Sequence, residues 1–390
     1  MLLKEYPFLQ VGMNFNLALD FSSFLNIINH MIKTFQYKIK TGRINSSDCR
    51  WLSQKASSIN YIWNYCNNAQ KHKLKWDSPK KWLSGFDLSS MCGGVSKEIG
   101  LHSQTVQAVC EEYANKRKAK KKAYLRYRSY KKSLGWIPFK TTGIKFDPDS
   151  QSFTYQKREF KVWYSRKIPA DTKIKSGSFC QDNLGNWYIN IVVDIPEVNL
   201  TQKPTAEVGI DLGLKDLAVL SDGNVIPIFK YYRKNEKRLG LAQRANKKHQ
   251  VKKIHKKIAN SRKDSAFKIA NNLVKNYALI VVGNVSPSKL GKTKMAKSVY
   301  DAGWTLLKKQ VEYLAITHQS VFLEVNESFT TQACSSCGNR TGPKGLKDLG
   351  IREWKCTVCN TVHDRDVNSA KNILRIGHDT LGVGIPILTA

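Results

Sequence analysis

Hydrophobic and polar residues change their spacing several times along the chain, and each change predicts a different element. Over residues 32–40 they alternate singly, the period of a strand. Over residues 46–70, Trp51, Ile59, Ile62, Trp63 and Cys66 recur near helical spacing, until a Gly/Ser/Pro-bearing patch at 78–95 interrupts them. A longer helix is expected over residues 102–132. Short strands and turns follow between Trp136 and Val198 (WIPFKTTGIKF, SFTYQ, KVWYS, SFCQDNLGNWYINIVVDI), the pattern of a small β-barrel or β-sandwich. The stretch EVNLTQKPT reads as a boundary, and no internal repeat is visible.

The C-terminal half has a different rhythm. EVGIDLGL is an apolar strand ending at Asp211, with DLAVLSDG and VIPIFK as two antiparallel neighbours. A long basic helical stretch over residues 230–276 precedes a strand (ALIVVGNV), a helix over 296–317 containing Trp304, and a strand (SVFLEVNE). A cysteine-bearing segment and a last helix (DVNSAKNILRI) complete the series. Three consecutive strands followed by alternating helices and strands is the order of an RNase H-like α/β fold, an order that other α/β folds share in part.

Charge narrows the set of partners. The 390 residues carry 64 Lys and Arg against 30 Asp and Glu, a formal net charge of +34, while 41% are apolar. Such a chain affords two or three buried cores and attracts polyanions. Nucleic acid is the first candidate. An anionic membrane surface is the rival, weakened because the cations are spread over several segments instead of one amphipathic anchor. In NKRKAKKKAYLRYRSYKK the cations alternate with Tyr124, Tyr127 and Tyr130. Arg117, Lys121 and Arg126 suit phosphates there, and the tyrosines suit unpaired bases. A solvated helix face is the alternative, but a run of cations with no nearby acid repels itself unless a polyanion screens it.

No run approaches the ~18 apolar residues a spanning helix needs. The first thirty residues hold Lys4, Glu5 and Asp20, with no basic leader pattern, and basic character begins after Met31. Met31 is therefore read as a natural start, with residues 1–30 as a poorly ordered extension. Five cysteines stand singly (Cys49, Cys66, Cys92, Cys110, Cys180), as small buried apolar residues do. A reducing, cytoplasmic compartment follows, as does the absence of a disulfide framework.

The remaining four, Cys334, Cys337, Cys356 and Cys359, form two CxxC pairs with eighteen residues between them. Four thiolates close a tetrahedron around one structural zinc ion and leave no open position for chemistry. Gly338 and Asn360 suit the tight turns such pairs need. His363, just outside the quartet, reads as a surface or nucleic-acid contact.

RNase H-like nucleases hold two divalent ions between convergent carboxylates, and magnesium takes such hard oxygen ligands. Asp211, at a strand end before Gly213, is the first candidate; an aspartate merely starting a turn is the bland alternative. Asp364 and Asp366 precede the last helix, where either could be an N-cap. Asp366, with Ala370 on the same helical face, is the better ligand candidate.

GIDLGLKDLAV, the CSSCG/CTVC quartet and HDRDVNSAKNI resemble the first RuvC motif, the zinc ribbon and the third RuvC motif of the TnpB family, insertion-sequence proteins related to type V CRISPR effectors. INYIWNYCN and WIPFKTTGIKF resemble parts of the family's recognition helices and wedge domain, so the likeness covers residues 32–378. It implies a multidomain α+β chain with a wedge-like β-barrel (31–45 and 134–200), a helical recognition domain (46–133), a RuvC domain (205–330 and 363–378), an inserted zinc ribbon (331–362) and a tail (379–390). It implies RNA-guided cleavage of double-stranded DNA beside a short adjacent motif, with a transposon-derived guide RNA, in a monomer located with the prokaryotic nucleoid. Asp211 matches the family's first catalytic aspartate and Asp366 its third acid. Lys140 and the basic stretch with Lys248, Lys252 and Lys256 are further nucleic-acid contacts.

The second RuvC motif departs from the pattern. It normally ends its strand with glutamate, whereas Gly283 and Asn284 stand here. Glu327, at the end of the next strand, is assigned as the substitute, since parallel strands joined by a helix end at one sheet edge. Glu324 faces the other side of that strand and lies ~10 Å back. Some family members carry such a relocated acid. The alternatives are an RNA-guided binder that does not cut, acting as a repressor, and a transposase performing strand transfer.

Overall fold

The computed structural model describes residues 30–42, 46–76, 82–169, 172–196, 204–345, 348 and 350–382; of the expected extension (1–30) and tail (379–390), residues 1–29 and 383–390 lie outside the described residues, while His30 begins a strand and 379–381 continue the last helix. The chain divides into two compact units, Met1–Glu197 and Val198–Ala390.

The first unit opens with strand β1 (His30–Ile39), followed by helices α1 (Ser47–Trp76), α2 (Gly85–Met91), α3 (Val95–Glu98) and α4 (Ser103–Ala119). Strands β2 (Trp136–Lys140), β3 (Lys145–Asp147), β4 (Ser152–Tyr155), β5 (Arg158–Trp163), β6 (Lys173–Gln181) and β7 (Trp187–Pro196) come next. They pair antiparallel in the order β2-β6-β7-β1-β5-β4-β3. Alternation sets the faces: Phe35, Tyr37 and Ile39 are buried while Gln36 and Lys38 between them are exposed. Rings from one end of that order meet rings from the other, with Phe179 5.4 Å from Tyr155 and 5.2 Å from Phe160. The sheet therefore curls around one aromatic core.

The helix expected over 102–132 stops at Ala119, and Lys121 adopts a left-handed φ of 49°. Clustered lysines disfavour further turns, because like charges three and four residues apart repel. The backbone beyond finds other partners. Asn67 bonds both the N–H and the carbonyl of Leu125, and Asn64 does the same for Arg128. Asparagines on α1 thus satisfy a strap of irregular chain that helix hydrogen bonds would otherwise satisfy.

The second unit contains strands β8 (Ala206–Leu212), β9 (Asp216–Leu220) and β10 (Val225–Pro227), helices α5 (Tyr231–Arg244) and α6 (Lys248–Asn276), and strand β11 (Tyr277–Gly283). Helices α7 (Pro287–Leu290), α8 (Ala296–Ala302) and α9 (Trp304–His318) lead to β12 (Val321–Val325); β13 (Glu353–Lys355), β14 (Val362–Asp364) and α10 (Arg365–Leu381) close it. The main sheet has the order β10-β9-β8-β11-β12, antiparallel over its first three strands and parallel over the last three. Ala270, Leu273, Leu307 and Val311 pack on one face, while Ile373 of α10 packs with Leu279, Val281 and Val325 on the other. Two glycines let α10 approach. A Cβ on Gly209 would lie 2.0 Å from the Ala370 carbonyl, and one on Gly377 would lie 2.4 Å from Val281.

The long basic stretch is two helices, not one. The chain turns at Asn246, where φ is 50°, and folds back so that Leu239 and Ala242 bury against Ile254 and Ile258. A straight helix would leave that apolar surface in water. The expected helix over 296–317 is likewise divided at Gly303 (φ 71°).

Candidate active site and metal centre

Parallel strands β8, β11 and β12 finish at one sheet edge, and the first turn of α10 comes to that edge because α10 packs across β8. Asp211 is the second-last residue of β8. Burial, reinforced by the negative charges of Glu327 and Asp366, pushes its carboxyl up to about 7, against the pull of the Ser369 hydroxyl and the Arg365 guanidinium. Glu327 and Asp366 thus lie near enough to Asp211 for their charges to act on it. Asp364 is the N-cap of α10, accepting from the N–H groups of Asp366 and Val367 at 2.9 Å, which leaves the Asp366 side chain free of capping. Asp366 Oδ2 meets Arg352 Nη1 at 2.8 Å.

Glu327 lies two residues past β12 and occupies space that a side chain at position 283 would take. A Cβ built on Gly283 meets Glu327 Oε2 at 2.4 Å, Glu327 Cβ at 3.2 Å and Ile373 Cδ1 at 3.3 Å. Asn284 steers this segment: its N–H donates to the Val325 carbonyl at 2.8 Å, and its Oδ1 accepts from the Glu327 N–H at 3.4 Å. Burial raises the Glu327 carboxyl, the nearby Lys308 ammonium opposes that, and Glu324 adds to it. Glu324 itself is engaged by Lys308 at 2.7 Å, on the side of β12 toward α9. An open cleft is lined by Glu327 together with Asn284, Ser286, Asn326 and Ser328.

The four cysteine sulfurs lie within 4.8 Å of one another. Sγ of Cys334 is 3.6 Å from Cys359, and Sγ of Cys337 is 3.7 Å from Cys356. A tetrahedron with zinc–sulfur bonds of ~2.3 Å has edges of ~3.8 Å, so the donor set fits zinc. Both knuckles are built alike. Gly338 (φ 79°) and Asn360 (φ 61°) take left-handed turns, and their N–H groups bond the carbonyls of Cys334 and Cys356. The Cys356 thiol is pulled down to about 6, first by the Cys359 N–H and then by the Thr341 hydroxyl. His363 is not a surface contact. It is buried, with Nε2 3.0 Å from Cys334 Sγ and its ring tilted against that of Trp354. The β13–β14 pairing turns His363 inward opposite Trp354, a register that spacing alone did not reveal.

Asn368 and Asn372 of α10 join this module to the acids. Asn368 Oδ1 accepts from the Ser335 N–H at 2.8 Å, and both asparagine amides donate to the Ala333 carbonyl. Sequence reasoning missed these residues, as it missed Arg352, Lys308 and Ser369. Only the bunching of asparagines on one face of DVNSAKN signalled a polar contact there.

The expected nucleic-acid residues fare unevenly. Arg117 is buried, with its guanidinium held by Gln70 and the Leu83 carbonyl and by the faces of Trp82 and Tyr113, so it is no surface contact. Lys140 is paired with Glu111 at 2.7 Å. Tyr124 and Tyr127 are exposed with Lys71 between them, 4.8 and 4.6 Å from the two ring centres. Lys121, Arg126, Lys248 and Lys252 are exposed, while Lys256 is half-buried. No helix among the described residues is long and apolar enough to cross a membrane.

Residues 190–293 match a family model named OrfB_IS605 and described as "Probable transposase", and residues 304–373 match one described as "Cas12f1-like, TNB domain". Two relatives are each described as a "Putative RNA-guided DNA endonuclease". That of Streptomyces pristinaespiralis is 30% identical over 66% of this chain and 67% of its own length. InsQ of Escherichia coli K12 is 30% identical over 62% of this chain and 66% of its own length. Both matches thus span about two thirds of the relative's length. In fold, the structure resembles the protein of a Cas12f1–sgRNA–target DNA complex, with a TM-score of 0.57 over 89% of this chain and 99% of the other at 12% identity. With its sequence likeness spread over both units and the fold in agreement, the chain belongs to the TnpB family.

Proposed function

We propose that this protein is an RNA-guided DNA endonuclease whose RuvC-type site consists of Asp211, Glu327 and Asp366. The observation that carries the reading is the Glu327 carboxylate, seated where a side chain at Gly283 would point and near enough to Asp211 to act on its charge. A half-buried carboxylate in that space supplies a third acid beside the strand end that lost its own.

The three acids supply hard oxygen donors suited to two magnesium ions. Among the described residues, the only clusters of three or more ligand atoms within 4.8 Å of one another are cysteines, so the carboxylates are spaced more widely than one shared ion requires. When bound, the ions supply an activated water and stabilise charge on the phosphate oxygens. The protein's own part is orientation. Asp364 caps α10 and fixes Asp366, Asn284 holds the loop bearing Glu327, and the mixed sheet fixes Asp211.

In this reading the curled β unit (31–45 and 134–200) is a wedge, with helices 46–133 as an inserted recognition domain. Residues 205–330 and 363–378 form the nuclease domain, and 331–362 a structural zinc ribbon. The partners are a transposon-derived guide RNA and double-stranded DNA read next to a short motif. In RNA-guided effectors, base pairing reads most of the sequence and the protein reads duplex shape.

The second reading, guided binding without cutting, is favoured by Gly283 itself, which removes the acid from its usual strand. The test separates the two. The protein is purified with its copurifying RNA, that RNA is sequenced, and matched DNA is offered in magnesium to wild type, Asp211→Ala and Glu327→Ala. Cutting by wild type and a loss of at least ~100-fold in both variants (about 2.7 kcal/mol of barrier) support the nuclease. Tight binding without cutting by wild type supports the binder, and undiminished cutting by Glu327→Ala removes that residue from the site.

A further inference from the structure

Cys66 in α1, Cys92 at the C-cap of α2 and Cys110 in α4 are separated in sequence, yet the fold of the first unit brings their sulfurs together. Cys110 Sγ lies 3.8 Å from Cys66 Sγ and 3.9 Å from Cys92 Sγ, and all three atoms fall within 4.8 Å of one another. All three residues are buried. Among the described residues, no fourth His, Cys, Asp or Glu joins them at that distance.

Buried cysteines commonly pack as small apolar side chains. Packing alone, however, does not require three helices each to aim a sulfur at one point. The size of the triangle is informative. An ion at the centre of an equilateral triangle with edges of ~4 Å makes bonds of ~2.3 Å, the length of a metal–thiolate bond. The helices need not move to close the site. Three soft donors without oxygen or nitrogen select soft ions, and zinc in closed sites calls for a fourth ligand, which the described residues do not supply.

We infer that Cys66, Cys92 and Cys110 form a three-coordinate binding site for a soft, thiophilic monovalent metal ion, copper(I) foremost. Binding forms three metal–sulfur bonds and releases the thiol protons to solvent, with no electron transferred. Beside the site, the Tyr65 hydroxyl donates to the carbonyl of Met91, the residue before Cys92, at 3.4 Å. The bound ion would tie α1, α2 and α4 together.

The test uses the full chain with its four-cysteine site loaded with zinc. Copper(I), supplied anaerobically as its acetonitrile complex, is titrated while zinc release, retained copper and the X-ray absorption signature are followed. The expected result is one copper retained per chain with zinc undisturbed and three sulfur neighbours. Cys110→Ala and Cys66→Ala should lose that copper while keeping their helical circular dichroism, and Cys180→Ala should keep it. If Cys110→Ala does not fold, Cys92→Ala, at a helix end, is read instead. Copper uptake only as zinc leaves, or uptake unchanged in the folded variants, would overturn the site. So would a disulfide between two of the three thiols together with no retained copper.

Discussion

Glu327 and Gly283 share one side-chain space: a Cβ on the glycine would fall 2.4 Å from the Glu327 carboxylate oxygen. The acid and the vacancy it fills come from different strands, joined by the parallel pairing of β11 with β12. This coupling makes a swap informative. Glu327→Ala should lose at least ~100-fold in cleavage rate, as removal of a metal-positioning carboxylate does. Adding Gly283→Glu to that variant should restore at least a tenth of the wild-type rate (a residual ~1.4 kcal/mol), since the new carboxylate starts from the same edge. Gly283→Ala alone should impair cutting, because its Cβ displaces Glu327. A double variant as dead as Glu327→Ala, with its fold intact, would break the link between the two positions.

The Asp211 carboxyl, pushed up to about 7 from its usual 3.8, makes stability depend on pH. Its folded value lies above the unfolded one, so its contribution is complete below about pH 4 and is lost as pH rises through 7. Without divalent ions, the melting temperature of wild type should fall between about pH 4 and 7 relative to Asp211→Asn, which cannot ionise, and run parallel to it above that. Three units correspond to a ceiling of about 4 kcal/mol; the side chain is only partly buried by surface area, so a smaller loss is expected. Magnesium at pH 8 should raise the melting temperature of wild type and leave Asp211→Asn nearly unmoved. Parallel pH curves for the two proteins between about pH 4 and 7 would contradict the assignment.

Much of this site was legible because its chemistry is tied to spacing. Two CxxC pairs fix a tetrahedron, and an aspartate at the end of an apolar strand must lie at a sheet edge. Glu327 could be preferred to Glu324 because strand alternation separates their directions; Glu324 is paired with Lys308. What failed depended on tertiary partners. The helix past Ala119 lost to asparagine side chains arriving from α1, residues remote in sequence. Arg117 sits in a run of cations that looks solvated, yet Gln70 and Leu83 draw it inward. His363 turned inward through a hairpin register that no local pattern encodes.

The zinc module should be mechanically joined to the acid it neighbours. Asn368 holds the first knuckle through Ser335 and Ala333, and it lies two residues after Asp366 on the same helix. Chelating the zinc should therefore lower cleavage at least tenfold even in excess magnesium, with re-added zinc restoring it, because ligand thiolates freed of metal repel one another and loosen the knuckles. Asn368→Ala should retain its zinc, measured by metal content, while losing several-fold in rate. Full activity in the chelated protein would show that the module does not position Asp366.

Cations that meet phosphates can be told from cations that hold the fold by their response to salt. Lys248 and Lys252 are exposed on α6 and Lys256 is half-buried there, whereas Arg117 is buried against Gln70. Each phosphate contact contributes ~0.7–0.9 to the slope of log affinity against log salt, so replacing the three lysines with alanine should flatten the slope by ~2 or slightly more. The melting temperature should barely move, since exposed charges contribute little to folding. Arg117→Ala should do the reverse. It removes the donor that the Leu83 carbonyl accepts from and the cation packed on Trp82 and Tyr113, at a cost of ~1–3 kcal/mol, and leaves the slope unchanged in whatever fraction stays folded. A triple lysine variant with the wild-type slope would place α6 away from the nucleic acid.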